Sequence, residues 1–322
     1  FPAWSRNDNG VTAMKVVYHS TAGRGVQSRF ASLEEQGIFV TSCPEDEREG
    51  LKAVLADADV LWHLLEPVTA DVMALAPRLQ LIQKIGVGVN TIDLDAARQR
   101  NIAVCNMPGA NSQAVAEMTL LLMLTTLRRV NHLDHATRTG EPLAGLMVDL
   151  QDQSGEICGR TIGLVGYGAV PRRLSPILIA MGARLVYTCP RAKKGVVGEY
   201  LSLNELLTVS DIVSLHVPLT ASTKDLINEV AIKRMKPGAI LINTSRGGVV
   251  DEEALRRALG ERRLAAAGLD VFASEPLEPD DPLLSLDNVV VTPHVAYLTA
   301  ETMVRSIRVA AENCRRLASQ EK

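Results

Sequence analysis

The chain has 322 residues, 47% of them hydrophobic, and a net charge of −3 from 34 basic and 37 acidic side chains. At roughly 150 residues per domain, this length predicts two domains with apolar cores large enough to need no covalent staples. The balanced charge offers no field for gripping nucleic acid. Five scattered cysteines with no Cys-x-x-Cys pair suggest neither a disulfide frame nor a metal site, and they fit a reducing cytoplasm. The longest apolar run, Met118 to Leu127, falls far short of the ~20 residues needed to cross a bilayer, so no membrane partner is expected.

Residues 1 to 13 lack the apolar core of a signal peptide and precede Met14, so they read as a leader or an expression remnant. From Met14 onward, short β-branched runs alternate with helical patterns, the signature of βαβ units and parallel sheets. A first series predicts strands near 15–18, 38–41, 60–63, 81–84 and 102–105. A second predicts them near 161–165, 184–187, 212–216, 239–243, 267–271 and 289–292. Between the series, Val115 to Leu133 predicts one apolar helix, followed by a polar, glycine-bearing stretch from Arg138 to Gly159. Thr299 to Leu317 predicts a final amphipathic helix. The fold class is α/β, with two doubly wound parallel-sheet lobes.

The run Thr161 to Arg191 places a strand, then Gly166-Tyr167-Gly168, directly before a helix and a second strand. In that order Gly166 permits a tight turn and Gly168 lets a pyrophosphate approach the backbone. The first helical residues, Ala169 and Val170, would offer their N–H groups to it. Two positions depart from the pattern. Pro171 replaces the third glycine, which is tolerated in a first helical turn but predicts looser helix-to-strand packing. Cys189, Pro190 and Arg191 stand where an NAD site carries an acid for the ribose hydroxyls. Arg191 could instead pair with a 2′-phosphate, so NADP is the preferred cofactor and NAD the alternative.

Three later segments each put one ionisable residue just past an apolar strand, where open α/β sheets bind ligands. They are Asn243-Thr244-Ser245-Arg246-Gly247, Asp270 to Pro276 with Glu275, and Thr292-Pro293-His294. A hydride leaves a carbinol carbon only if the hydroxyl proton leaves too, so a group titrating near neutrality is needed. His294 fits, Glu275 would stabilise its protonated ring, and Arg246 offers a forked cation to a carboxylate and to an oxygen gaining charge. The turn Gly86-Val87-Gly88 can present backbone N–H groups to a substrate carboxylate.

With these motifs and Gly86 to Asp93, the chain from Met14 to Leu317 resembles the D-isomer-specific 2-hydroxyacid dehydrogenase family, in a short form without a regulatory domain. The resemblance implies a flavodoxin-like substrate domain, 1–112 with 298–322, into which a Rossmann domain, 113–297, is inserted. It also implies a catalytic set of Arg246, Glu275 and His294, and a homodimer through the dinucleotide-binding domain. Val115 and Asp270 would lie at the nicotinamide, Thr244 beside its ring, and His216 and Pro218 over the adenosine. The expected activity is hydride transfer between NAD(P)H and a small 2-oxo or 2-hydroxy acid in an interlobe cleft, as in glyoxylate/hydroxypyruvate reductases. Glu275 argues against the formate-oxidising branch, which pairs its histidine with glutamine. Rival readings are a 3-phosphoglycerate dehydrogenase-like or phosphite-oxidising enzyme and a non-enzymatic NAD-sensing scaffold of the corepressor type. A phosphorylated substrate would want first-lobe cations, for which Arg24 and Lys84 are the candidates.

Overall fold

The structure is a computed structural model that describes residues 13–319, so the expected leader lies outside the described residues except for Ala13. The chain divides into two compact units, one of residues up to Asn111 together with those from Leu298 onward, the other of Ser112–Tyr297.

In chain order the first unit contains β1 (Met14–His19), α1 (Arg24–Glu34), β2 (Ile38–Cys43), α2 (Arg48–Leu55), β3 (Val60–His63), α3 (Ala70–Ala74), β4 (Leu81–Lys84), α4 (Leu94–Gln99) and β5 (Ala103–Cys105). Its five strands are parallel, in the order β2-β1-β3-β4-β5.

The second unit begins with α5 (Ser112–Arg128), α6 (Val130–Thr139) and α7 (Leu143–Gln153). It continues with β6 (Thr161–Val165), α8 (Ala169–Ala180), β7 (Arg184–Thr188), β8 (Glu199–Tyr200), α9 (Leu203–Val209), β9 (Ile212–Leu215), α10 (Glu229–Arg234), β10 (Ala239–Asn243), α11 (Glu252–Gly260), β11 (Leu264–Leu269) and β12 (Val289–Val291). Its seven-stranded sheet runs β12-β11-β10-β9-β6-β7-β8. The chain then returns to the first unit with α12 (Ala300–Ser319).

Central strands such as β3, β9 and β10 are buried at every residue, as expected of parallel strands covered on both faces. In the first unit Met303, Ile307, Ala310 and Cys314 of α12 join Tyr18, Phe30 and Trp62 in one core, while Leu55, Leu61, Met73 and Ile82 fill the opposite face. Polar ties pin α12: Asn313 donates to Gln83 Oε1 at 2.6 Å and Arg305 to the Ala110 carbonyl at 2.8 Å.

The single helix expected over 115–133 is two, broken at Arg129, whose φ is 52°. The Gly155 N–H takes the Leu127 carbonyl at 2.9 Å, withdrawing it from the helical ladder, and the Arg129 side chain is held by Gln153 and Asp287. The stretch read as polar and glycine-bearing, Arg138 to Gly159, contains α7; its period of Leu143, Leu146, Met147 and Leu150 is helical but interrupted by Gly145 and the acids. Among the described residues no helix is long and apolar enough to cross a membrane.

Candidate active site

Three loops at the carboxyl edge of the second unit's sheet build the site. At the end of β10, the Asn243 side chain accepts from the Ser245 N–H at 3.0 Å and its hydroxyl at 2.9 Å, and donates to the Arg246 carbonyl at 2.9 Å. This winds the chain tightly enough to turn Arg246 off the strand. The next residue must be glycine, because a Cβ on Gly247 would overlap the Phe272 carbonyl. That contact presses the arginine loop against the loop following β11. Arg246 is half-buried, its guanidinium donates to the Ser245 carbonyl at 2.6 Å, and burial lowers its pKa while the Glu275 charge opposes the change.

Asp270, just past β11, organises the third loop. Its carboxylate accepts from the Thr292 hydroxyl at 2.6 Å, the Val295 N–H at 2.9 Å and the Ala296 N–H at 3.0 Å, and its carbonyl takes the His294 N–H at 2.7 Å. Burial raises the Asp270 pKa, and these three donors, with His294, oppose it. So constrained, His294 adopts a left-handed backbone with φ 55°, a conformation that tertiary structure must hold in place.

His294 Nδ1 lies 2.6 Å from Glu275 Oε2, and Glu275 Oε1 accepts from the Phe272 N–H at 2.8 Å. Burial alone would raise the Glu275 pKa; the hydrogen bonds from His294 and Phe272, aided by the charges of His294 and Arg246, outweigh it and hold the carboxyl below its usual range. A depressed carboxyl contributes stability above its unfolded pKa and loses it as pH falls through the folded value. Glu275 is therefore an anion throughout the neutral range. Its bond to Nδ1 fixes the ring and leaves Nε2 as the edge for chemistry. Tyr297 packs edge-on to the ring at 6.2 Å between centroids.

The second set of expected residues surrounds the point where strand order reverses, between β6 and β9. Gly166 has φ 95°, and a Cβ there would sit 2.5 Å from the His216 carbonyl. Gly168 caps α8, and no described atom lies within 4 Å of the place its Cβ would take. Open space thus adjoins the first turn of α8, where the N–H groups of Ala169 and Val170 have no helical acceptor. These residues fit a dinucleotide's pyrophosphate. Pro171 does not loosen the helix: it is buried with Leu174 and Leu178, and Ser175, which donates to its carbonyl, accepts from the Tyr167 hydroxyl at 2.9 Å.

Thr244 is buried with its hydroxyl 2.9 Å from that of Thr119, one turn along α5 from the buried Val115. Pro218 is exposed; His216 bonds Ser214 at 2.9 Å, and burial pushes its imidazole down to about 3. Cys189 is half-buried with its thiol 2.9 Å from the Arg191 carbonyl, and Arg191 is exposed.

Gly86, Val87 and Gly88 belong to the first unit, in the turn after β4. Met107 N–H takes the Gly86 carbonyl and Asn106 the Val87 carbonyl, while among the described residues no carbonyl takes the Val87 or Gly88 N–H. Of the two first-lobe cations considered for a phosphate, Arg24 is exposed and Lys84 is buried.

Sequence reasoning quoted Asn243 and Thr292 within motifs without giving either a role, and it missed Thr119. A polar residue closing an all-apolar strand was a usable signal for Asn243. Thr119 sits inside an apolar helix and gave none.

Residues 120–296 match the family described as D-isomer specific 2-hydroxyacid dehydrogenase, NAD binding domain. The chain is 41% identical over 279 residues to a glyoxylate reductase of Aeropyrum pernix, covering 82% of this chain and 81% of that protein. It is 37% identical to a hydroxypyruvate reductase of Thermotoga maritima, covering 85% and 89%. Its fold is similar to that of the D-lactate dehydrogenase of Aquifex aeolicus complexed with NAD and lactic acid, with a TM-score of 0.82 and 27% identity over 95% of this chain and 96% of that one.

Proposed function

The chain belongs to the D-isomer specific 2-hydroxyacid dehydrogenase family, and from that premise we propose that it interconverts a small 2-oxo acid and its D-2-hydroxy acid with a nicotinamide dinucleotide. The observation that carries the reading is the Glu275–His294 contact at 2.6 Å, with Arg246 on the adjoining loop. In reduction, His294 gives the Nε2 proton to the substrate's carbonyl oxygen; in oxidation, the same nitrogen takes it back. Glu275 stabilises the charged ring before the proton is given and after it is taken back. Arg246 stabilises the oxygen as charge develops on it. When bound, the nicotinamide supplies or accepts the hydride.

The proposed cofactor contacts are Gly166, Gly168, Ala169 and Val170 for the pyrophosphate, and Val115, Thr244 and Asp270 for the nicotinamide end. His216 and Pro218 serve the adenosine, and Cys189 and Arg191 its ribose. Asp270 acts chiefly through the loop it holds. The second unit is thus the dinucleotide-binding domain. The first is the substrate domain, in which Gly86, Val87 and Gly88 are the proposed carboxylate-binding turn. Exposed Leu143, Met147 and Val148 on α7 support a homodimer through the second unit. A cytoplasmic location accords with five free cysteines, two of them buried.

NADPH is the proposed reductant, because Cys189 stands in place of the carboxylate that would repel a 2′-phosphate, and the exposed Arg191 follows it two residues on. A charge-assisted contact of this kind corresponds to roughly a 10–100-fold preference. Initial rates with NADPH and NADH on glyoxylate, hydroxypyruvate and pyruvate test both levels. Turnover with a higher kcat/KM for NADPH is expected. A preference for NADH removes the role given to Arg191, and no turnover of any 2-oxo acid removes the enzyme reading in favour of a binding protein.

A further inference from the structure

The last residues of β1, β3 and β4 are His19, His63 and Lys84, and strand pairing sets them in one row: His19 opposite His63, His63 opposite Lys84. Side chains in register on parallel strands share a face. All three are buried, at 3%, 0% and 4% exposure, which is unusual for a lysine and calls for compensating contacts. The Lys84 ammonium donates to the Leu64 carbonyl and lies 3.3 Å from His63 Nε2 and 3.4 Å from Thr91 Oγ1; His63 Nε2 is in turn 2.9 Å from that hydroxyl.

The two rings do not share the charge. Burial, together with the charges of Lys84 and His19, pushes His63 down to about 2, and burial lowers His19 against the pull of Glu66. A neutral His63 accepts at Nε2, so it serves as a ligand to the ammonium rather than a second cation. Glu45 and Glu66 are the acids nearby; the Glu45 carboxyl is pushed up by burial and by Glu66, with Lys84 opposing. The row's positive charge is thus that of Lys84, which acts on both His63 and Glu45 at the carboxyl edge of the sheet.

That charge adjoins the turn proposed to bind the substrate. A Cβ on Gly86 would lie 3.5 Å from Lys84 Cε and 3.9 Å from its Cγ, so the lysine stem runs against the Gly86 α-carbon. Through Leu64 and Thr91 the ammonium also ties the end of β3 to the far end of the Gly86-to-Thr91 segment. A buried charge is weakly screened and keeps its influence on an anion at the neighbouring N–H groups.

We infer that Lys84, locked by Leu64, Thr91 and His63, is a positioning residue for substrate binding, fixing the Gly86–Gly88 turn and drawing a carboxylate to it. The inference rests on the activity proposed above. A substrate carboxylate has the same charge before and during hydride transfer, so Lys84 stabilises the ground state and transition state alike. Losing it raises KM and spares kcat.

The test compares Lys84→Met and Lys84→Gln with the wild-type enzyme on glyoxylate, measuring kcat, KM and the dissociation constant of NADPH. A rise in KM of roughly 10–100-fold is expected, with kcat and NADPH binding within a few-fold of wild type. Unchanged KM, a loss confined to kcat, or failure of both variants to fold would overturn the inference, the last by marking Lys84 as a structural tie. Absence of wild-type turnover on every 2-oxo acid would instead refute the underlying activity, and this inference with it.

Discussion

Replacing His294 with alanine is expected to lower kcat for 2-oxo acid reduction by about 10²–10⁴-fold, the usual worth of a positioned general acid, while NADPH affinity stays within a few-fold of wild type. The two quantities separate because the ring is held by groups that the glycine turn does not use. Its orientation comes from Glu275 at Nδ1, and its backbone is set by the Asp270 carbonyl and by the three donors to the Asp270 carboxylate. None of these groups lies on the Gly166–Val170 segment proposed to hold the pyrophosphate. Removing the imidazole therefore removes the proton donor and leaves the cofactor contacts in place. Steady-state kinetics and a fluorescence titration of NADPH measure the two arms; wild-type turnover would refute the role of His294.

Arg246→Lys should reduce kcat/KM by about 10²–10³-fold, comparable to the loss of one preorganised donor at an oxygen that gains charge. The substitution keeps the charge and removes the planar fork. Arg246 is carried by a turn wound by the Asn243 amide and pressed against Phe272 through Gly247. A lysine grafted there would place one point charge where the guanidinium offers several directed N–H groups. Because the missing interaction strengthens as the oxygen gains charge, kcat should fall as well as kcat/KM. A variant with kcat intact and only KM raised would mean that Arg246 binds substrate without stabilising the transition state.

Much of this arrangement was legible because parallel strands write themselves as short apolar runs, and the first few residues after each run fall at the sheet edge where ligands bind. That logic located Gly166, Arg246, Asp270 and His294. Glu275 follows its strand by six residues, and its contact with His294 depends on a loop whose path is set by Phe272 and Gly247. The motif could suggest that partnership but local patterning could not.

The break at Arg129 escaped because its cause is distant in sequence, a Gly155 N–H competing for the Leu127 carbonyl. Asp270 illustrates a further limit. Its place in the chain suggested a position near the nicotinamide, and only the folded loops add that its carboxylate takes three donors from the loop that carries His294. The row of His19, His63 and Lys84 is likewise invisible without strand register, since 44 residues separate the first two and nothing local relates them.

The central claim, that this chain moves hydride directly onto C2 of a 2-oxo acid and protonates the oxygen through His294, is tested most directly by isotope transfer. Hydroxypyruvate or pyruvate is incubated with the enzyme and a nicotinamide cofactor dideuterated at C4 of the reduced ring, and the product is resolved by chiral chromatography and mass spectrometry. The account predicts a D-2-hydroxy acid carrying one deuterium at C2, at a rate that collapses in His294→Ala. A product without deuterium, or one of the opposite configuration, would contradict it.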